Sequence, residues 1–422
     1  MSSVSQPLEK SNAPSKTVAA AASKTSSRLA SLDVYRGMVI IVMTVVNYLS
    51  EVSEIPRWAK HMPPGIDGFT FVDVVLPAFL FIVGVAIPFA LQRRMDRGDS
   101  TLGLIGRIAG RSASLLFFGV IYVNKHFYSA EATGMSKPLW FLLALVSSIF
   151  LWCDFVQELS ARERRCLWCL KILSAVVLAW MLFIFRGKNG AGHVVWLQHS
   201  WWDILGKIGW SYLVASIVYL LCRGNPVALM GAMGFMLAIY VGDRHGALQW
   251  LEPLRSFMNF GVNAGSAAAT VTMGMLVGRR LLSHHDDRQK NAGFMLLFGV
   301  CLIAAGYLLR PLHGIMKNDG TESYALVAGG ICSVLFAATY WALDEKGWRK
   351  GSGWMGDVGQ NALLAYMMPG LLTRLFDVAG HVNWLWPFGK IGVPGAVGCA
   401  LLTAVVTLLV WLITRSGFRL KL

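Results

Sequence analysis

The chain has 422 residues, 55% of them hydrophobic and only 14% charged, with a formal net charge of +15. Soluble domains carry about 25% charged residues, so the composition excludes an ordinary soluble fold and points to an all-α, polytopic membrane helical bundle. A charge of +15 could also suit nucleic acid, but 25 of the 38 Lys and Arg fall on one side of the expected spans. That is the positive-inside bias of a membrane protein, and no nucleic-acid partner is expected.

Residues 1–27 are rich in Ser, Ala and Lys and lack the apolar core of a signal peptide, so they are expected to form a disordered cytoplasmic tail. The remainder, 28–422, reads as one transmembrane domain without a long soluble insert. Apolar runs near the roughly 20 residues needed to cross a bilayer define twelve expected spans, within a range of 10–12. They fall at 37–50, 69–91, 102–123, 138–153, 167–185, 204–222, 226–241, 263–282, 292–309, 324–343, 357–377 and 391–413. The first, fourth and seventh are short, which leaves room for tilted or broken pieces. An even count puts both termini on one side, and the excess of Lys and Arg there makes that side cytoplasmic.

The first span begins at a polar mouth, Arg28, Asp33 and Arg36, and ends near Asn47, which shares a helical face with Thr44. Asn47 suits either a helix-end cap or a pairing with a neighbour. A lone histidine, His61, follows in a loop stiffened by Pro63 and Pro64 and bent by Gly65 and Gly68. The chain then enters a span carrying Asp73 about one turn in. A carboxylate at that depth is costly unless it is paired. An imidazole N–H is one partner, giving the Asp-oriented His of acyl transfer; a backbone or Arg group in a structural role is the other.

Further along, Arg107 and Arg111 lie four apart on one helical face at the cytoplasmic mouth, as binding groups or as ordinary anchors. Trp201 and Trp202 could stack on a sugar ring. Arg310, His313 and Lys317 surround the outer end of the ninth span, suited to an anionic or sugar acceptor or to a plain interfacial loop. The seven cysteines lie in or beside apolar runs and none clusters with His at metal-site spacing, so no metal is expected.

Taken together, "RLASLDVYRG", "VNY", "KH" and "GFTFVDVVLPAFLFIVG" resemble the start of the heparan-alpha-glucosaminide N-acetyltransferase family and its bacterial relatives. The resemblance continues through "LIGRIAGRSASLLFFGVIYVN", "WDILGKIGWSYLVAS", "KNDGTESY" and "GQNALLAY", reaching from residue 28 to about 366. Leu76, before Pro77, stands where the family pattern has Phe, and the hairpin at 138–185 is an extra pair of spans. The resemblance implies a transmembrane acyltransferase of the bacterial inner membrane, with acetyl-CoA as cytoplasmic donor and a sugar amino or hydroxyl group as outer acceptor. By position, it implies His61 as the active-site histidine, with Asn47 and Asp73 as its partners. Asn361 and Tyr366 would line the tunnel or pair across helices, and a homodimer is also implied. In that mechanism His61 takes the acceptor's proton, Asn47 donates to the thioester oxygen, and Arg36, Arg107 and Arg111 hold the phosphates of acetyl-CoA. A secondary transporter or sugar-lipid flippase is the rival reading, since it too needs many spans and an acid at depth.

Overall fold

The computed structural model describes residues 29–199, 202–284 and 287–421; the tail expected at 1–27 and Trp201 lie outside them. The fold is helical, as the apolar runs require. Each of the twelve expected spans forms helix. In chain order these are α1 (Ala30–Leu49), α2 (Val75–Asp96), α3 (Thr101–Phe127), α4 (Lys137–Leu151), α5 (Ala161–Ile184), α6 (Asp203–Leu221) and α7 (Pro226–Arg244), then α8 (Ala267–Ser283), α9 (Arg288–His313), α10 (Glu322–Tyr340), α11 (Gly353–Gln360), α12 (Ala362–Val378) and α13 (Gly392–Arg415). Among the described residues, nine helical segments are long and apolar enough to cross a bilayer, and the protein is a multi-pass membrane protein.

Local chemistry sets the helix ends. Asn225 accepts hydrogen bonds from Val227 and Ala228 N–H while Pro226 opens α7, and Ser160 with Glu163 forms a capping box on α5. Several expected spans depart from a plain helix, the eighth and eleventh most clearly. The eighth starts with a π-helical turn, Gly261–Ser266, kinked at Gly265. The eleventh is broken at Asn361 into α11 and α12.

Helix α2 is the axis of the bundle, packed against α8, α1, α6 and α10. Its fit to α8 depends on missing side chains. A Cβ on Gly84 would stand 1.9 Å from the Val271 carbonyl oxygen, and one on Gly274 would stand 2.0 Å from that of Phe81. Small residues let the two backbones touch where lipid gives no hydrophobic drive for association.

The connections gather at two ends. At one, Asp344 accepts from the Ala30 and Ser31 N–H groups (3.2 and 3.0 Å), and Cys153–Phe155 pairs antiparallel with Phe418–Leu420. At the other, Ser53 N–H donates to Lys390 O at 2.9 Å and Gly68 N–H to Ile315 O at 3.0 Å. The first is the termini end; the second holds His61.

Candidate active site

The loop before α2 is built by its own sequence. Thr70-Phe-Val-Asp73 is a capping box on the 3-10 turn Phe71–Val74 that opens α2. Asp73 Oδ2 accepts the Thr70 and Met62 N–H groups at 3.0 and 3.2 Å. The second oxygen, Oδ1, lies 2.7 Å from His61 Nδ1. An ionised carboxylate only accepts, so Nδ1 carries the hydrogen and Nε2 keeps its lone pair. Asp73 is fully buried whereas the His61 side chain is 44% exposed, so the acid is fixed and the ring faces solvent.

A third group joins from a distant part of the chain. Lys317 Nζ lies 3.4 Å from Asp73 Oδ1, 2.7 Å from His61 Nδ1 and 3.4 Å from Nε2. A donor on the Nδ1 lone-pair axis would be far from Nε2. Similar distances to both nitrogens put the ammonium over the ring, where it leaves the Nδ1–H bond to Asp73 intact. Burial pulls the Lys317 pKa below the ordinary lysine value, with Asp73 acting in the opposite sense.

The 310–321 segment reaches this site because it is tied to the His61 loop. Arg310 Nε pairs with Asp67 Oδ2 at 2.8 Å, and Ile315 N–H donates to Asp67 Oδ1 at 2.7 Å. Those two bonds, the backbone one first, hold the Asp67 carboxyl below its usual pKa. His313 lies underneath, 10% exposed, with Nδ1 2.9 Å from Oε1 of the fully buried Glu322. Arg310 and His313 therefore brace the loop, and Lys317 alone of that trio touches His61.

Other residues singled out from the sequence are placed apart. Asn47 is exposed near the end of α1 and its side chain makes no hydrogen bond to His61 or Asp73. Trp202 is 7% exposed and packs edge-on against Trp210 and Phe257, so its ring is not available to a sugar. Asn361 does not line a tunnel: its amide donates to Thr414 Oγ1 and Phe418 O and accepts from Leu420 N–H, pinning the C-terminal strand. Its position in a helix break frees that amide for the task.

Below the site run two cavities. The larger, ≈ 340 Å³, has Arg36, Arg111, Gln360 and Lys421 at its termini end and Tyr366 and Ile204 deeper in. Arg111 stacks on Tyr212, 5.0 Å from the ring centroid, while Arg107 is exposed and outside the lining. The Tyr366 hydroxyl donates to Asp203 Oδ2 at 3.1 Å. The smaller, ≈ 100 Å³, includes Leu76, Pro77, Leu80, Lys207, Lys317 and Tyr324 in its lining. Tyr324 in turn donates its hydroxyl hydrogen to Asp73 O at 2.6 Å.

Helix α2 puts these features in order. Leu91, Ile87, Val83 and Phe79 face the larger cavity, Leu80, Pro77 and Leu76 the smaller, and Asp73 the dyad. At 1.5 Å per residue, Leu91 to Asp73 is about 27 Å, close to the hydrocarbon thickness of a bilayer.

The site and the bundle define the class: a multi-pass helical membrane protein with a His–Asp pair at one face and a cationic cavity mouth at the other. The family model described as "Domain of unknown function (DUF5009)" matches residues 28–254, and the chain belongs to that family. It is also similar to the heparan-alpha-glucosaminide N-acetyltransferase of Homo sapiens, 24% identical over 371 residues, covering 81% of this chain and 52% of the relative. The Mus musculus protein of the same name is 36% identical over 378 residues, covering 83% and 55%. The chain thus spans about half the length of these relatives.

Proposed function

We propose that the protein is a membrane acyltransferase that accepts acetyl-CoA at the termini end and delivers the acetyl group at His61. The acceptor is an amino or hydroxyl group of a sugar on the other side of the membrane. The alignment on α2 of cationic mouth, cavities and His–Asp pair carries this reading, and the N-acetyltransferase activity for which the two relatives are named supports it. A transporter could also use a His–Asp proton relay; the placement of this pair beside a ring open to an incoming acceptor favours acyl transfer.

The chemistry follows from the tautomer. His61 Nε2 takes the proton of the attacking amine or hydroxyl as its nitrogen or oxygen bonds to the thioester carbonyl carbon. Asp73 stabilises the imidazolium that forms. Lys317 Nζ stands over the ring, where a carbonyl oxygen gaining negative charge would meet a cation. The C–S bond then breaks, and the CoA sulfur leaves with the proton from His61. Arg36, Arg111 and Lys421 suit the phosphates of CoA, because charge-assisted hydrogen bonds to phosphate are strong.

Two measurements test the donor side and the orientation. Arg111→Ala is expected to weaken acetyl-CoA binding by about 1.5–3 kcal/mol, the worth of a hydrogen bond to a charged group, and Arg107→Ala to leave it unchanged. Equal losses in the two would return Arg111 to an anchoring role. The positive-inside bias makes the termini end cytoplasmic. A cysteine at Glu54 should then react with an impermeant reagent added to intact cells, while cysteines in the 92–100 loop stay protected. The reverse pattern would invert the orientation and with it the direction of transfer.

A further inference from the structure

We infer that the smaller cavity is the acyl-group site, and that its size restricts the donor to short acyl chains. This rests on the acyltransferase reading and adds its specificity determinant. Consecutive residues separate the two cavities: Phe79 and Ile208 face the larger, Leu80 and Lys207 the smaller. An acyl group carried past them along α2 arrives beside Lys317, which touches His61.

Size decides what fits. The cavity is ≈ 100 Å³, below the roughly 150 Å³ of an engineered apolar cavity that holds benzene. It takes neither a sugar ring nor a nucleotide. A short acyl group is what a space of that size takes. The sugar must therefore approach from outside, onto the exposed face of His61, while the acyl group is held from within. The walls suit that ligand: Leu76, Pro77 and Leu80 offer apolar contact to a methyl, and the Lys317 ammonium offers a charge to the carbonyl oxygen.

The test uses the full chain in lipid nanodiscs and a series of CoA, acetyl-, propionyl-, butyryl- and hexanoyl-CoA. Affinity is read by displacement of labelled CoA, and transfer is read with glucosamine as acceptor. Acetyl-CoA should bind at least as well as CoA, and hexanoyl-CoA at least about tenfold more weakly, the size of discrimination that a packed pocket gives against added methylenes. Leu76→Ala and Val262→Ala trim partly exposed wall residues and should narrow the hexanoyl deficit. Leu76→Phe should extend the deficit to propionyl-CoA without changing the affinity for CoA itself. A chain-length profile that is flat, or that none of the three variants alters, overturns the inference while leaving the acyltransferase reading in place. Failure of the wild-type protein to bind CoA or any acyl-CoA removes the donor reading, and this inference falls with it.

Discussion

His61→Ala is expected to abolish acetyl transfer while leaving acetyl-CoA binding intact. The imidazole is the exposed member of the dyad, and the cationic mouth lies about 27 Å away at the other end of α2. Removing a positioned general base costs about 10²–10⁴ in rate. The ring is 44% exposed and its loop is held by Asp67, Thr70 and Asp73, so the variant should fold. Asp73→Asn separates the roles further. An Asn oxygen can still accept the capping N–H groups, but its amide cannot both cap and accept the Nδ1 hydrogen, so His61 should switch tautomer and lose activity. Single-turnover assays on both variants, with acetyl-CoA affinity measured alongside, decide the matter. Near-normal transfer by a well-folded His61→Ala protein would end the catalytic reading.

What the sequence disclosed about this site depended on separation along the chain. His61 and Asp73 are twelve residues apart on one stiff loop, so their meeting could be expected from Pro, Gly and the depth of the acid. Lys317 is 256 residues from His61. Nothing local distinguishes it from nearby Arg310, and only the Asp67 bonds decide which cation reaches the ring. The capping-box role of Asp73 was written in Thr70-Phe-Val-Asp73, a Thr-x-x-Asp before an apolar run. Glu322 and Asp203 had weaker signals, an acid at the start of an apolar run in each case. Both are buried against a polar partner, His313 and Tyr366.

The bundle was more legible, because apolar runs of bilayer length leave few alternatives to helix. The break at Asn361 was not. Asn361 reads as an amide that lines a tunnel or pairs across helices, and only the return of the C-terminal strand shows why its hydrogen bonds are used internally. Trp202 misleads for a related reason. A tryptophan near a membrane interface can be an anchor, a sugar platform or core, and contact with Phe257 makes it core.

The second large effect is expected from the smallest possible side chain. Gly274→Ala should destabilise the bundle and remove activity, although it lies far from His61 in sequence and adds one methyl group. Its Cβ would stand 2.0 Å from Phe81 O, a backbone atom that cannot rotate away. Helices α2 and α8 must then separate, and the close approach of Gly84 to the Val271 carbonyl opens with them. Overpacking of a tight contact costs about 1–3 kcal/mol, occasionally more. Activity should fall further than stability, because α2 carries Asp73 at its start and forms a wall of both cavities. Gly234→Ala on α7 is the control: nothing lies within 4 Å of its Cβ position. An Ala there should be neutral or stabilise by about 0.4–1 kcal/mol, through the entropy of the unfolded chain. Thermal unfolding of both variants in nanodiscs, with transfer rates measured below the transition, gives the comparison. Equal Tm values for the two would mean that α2 and α8 are not in backbone contact, and the path built along α2 would lose its support.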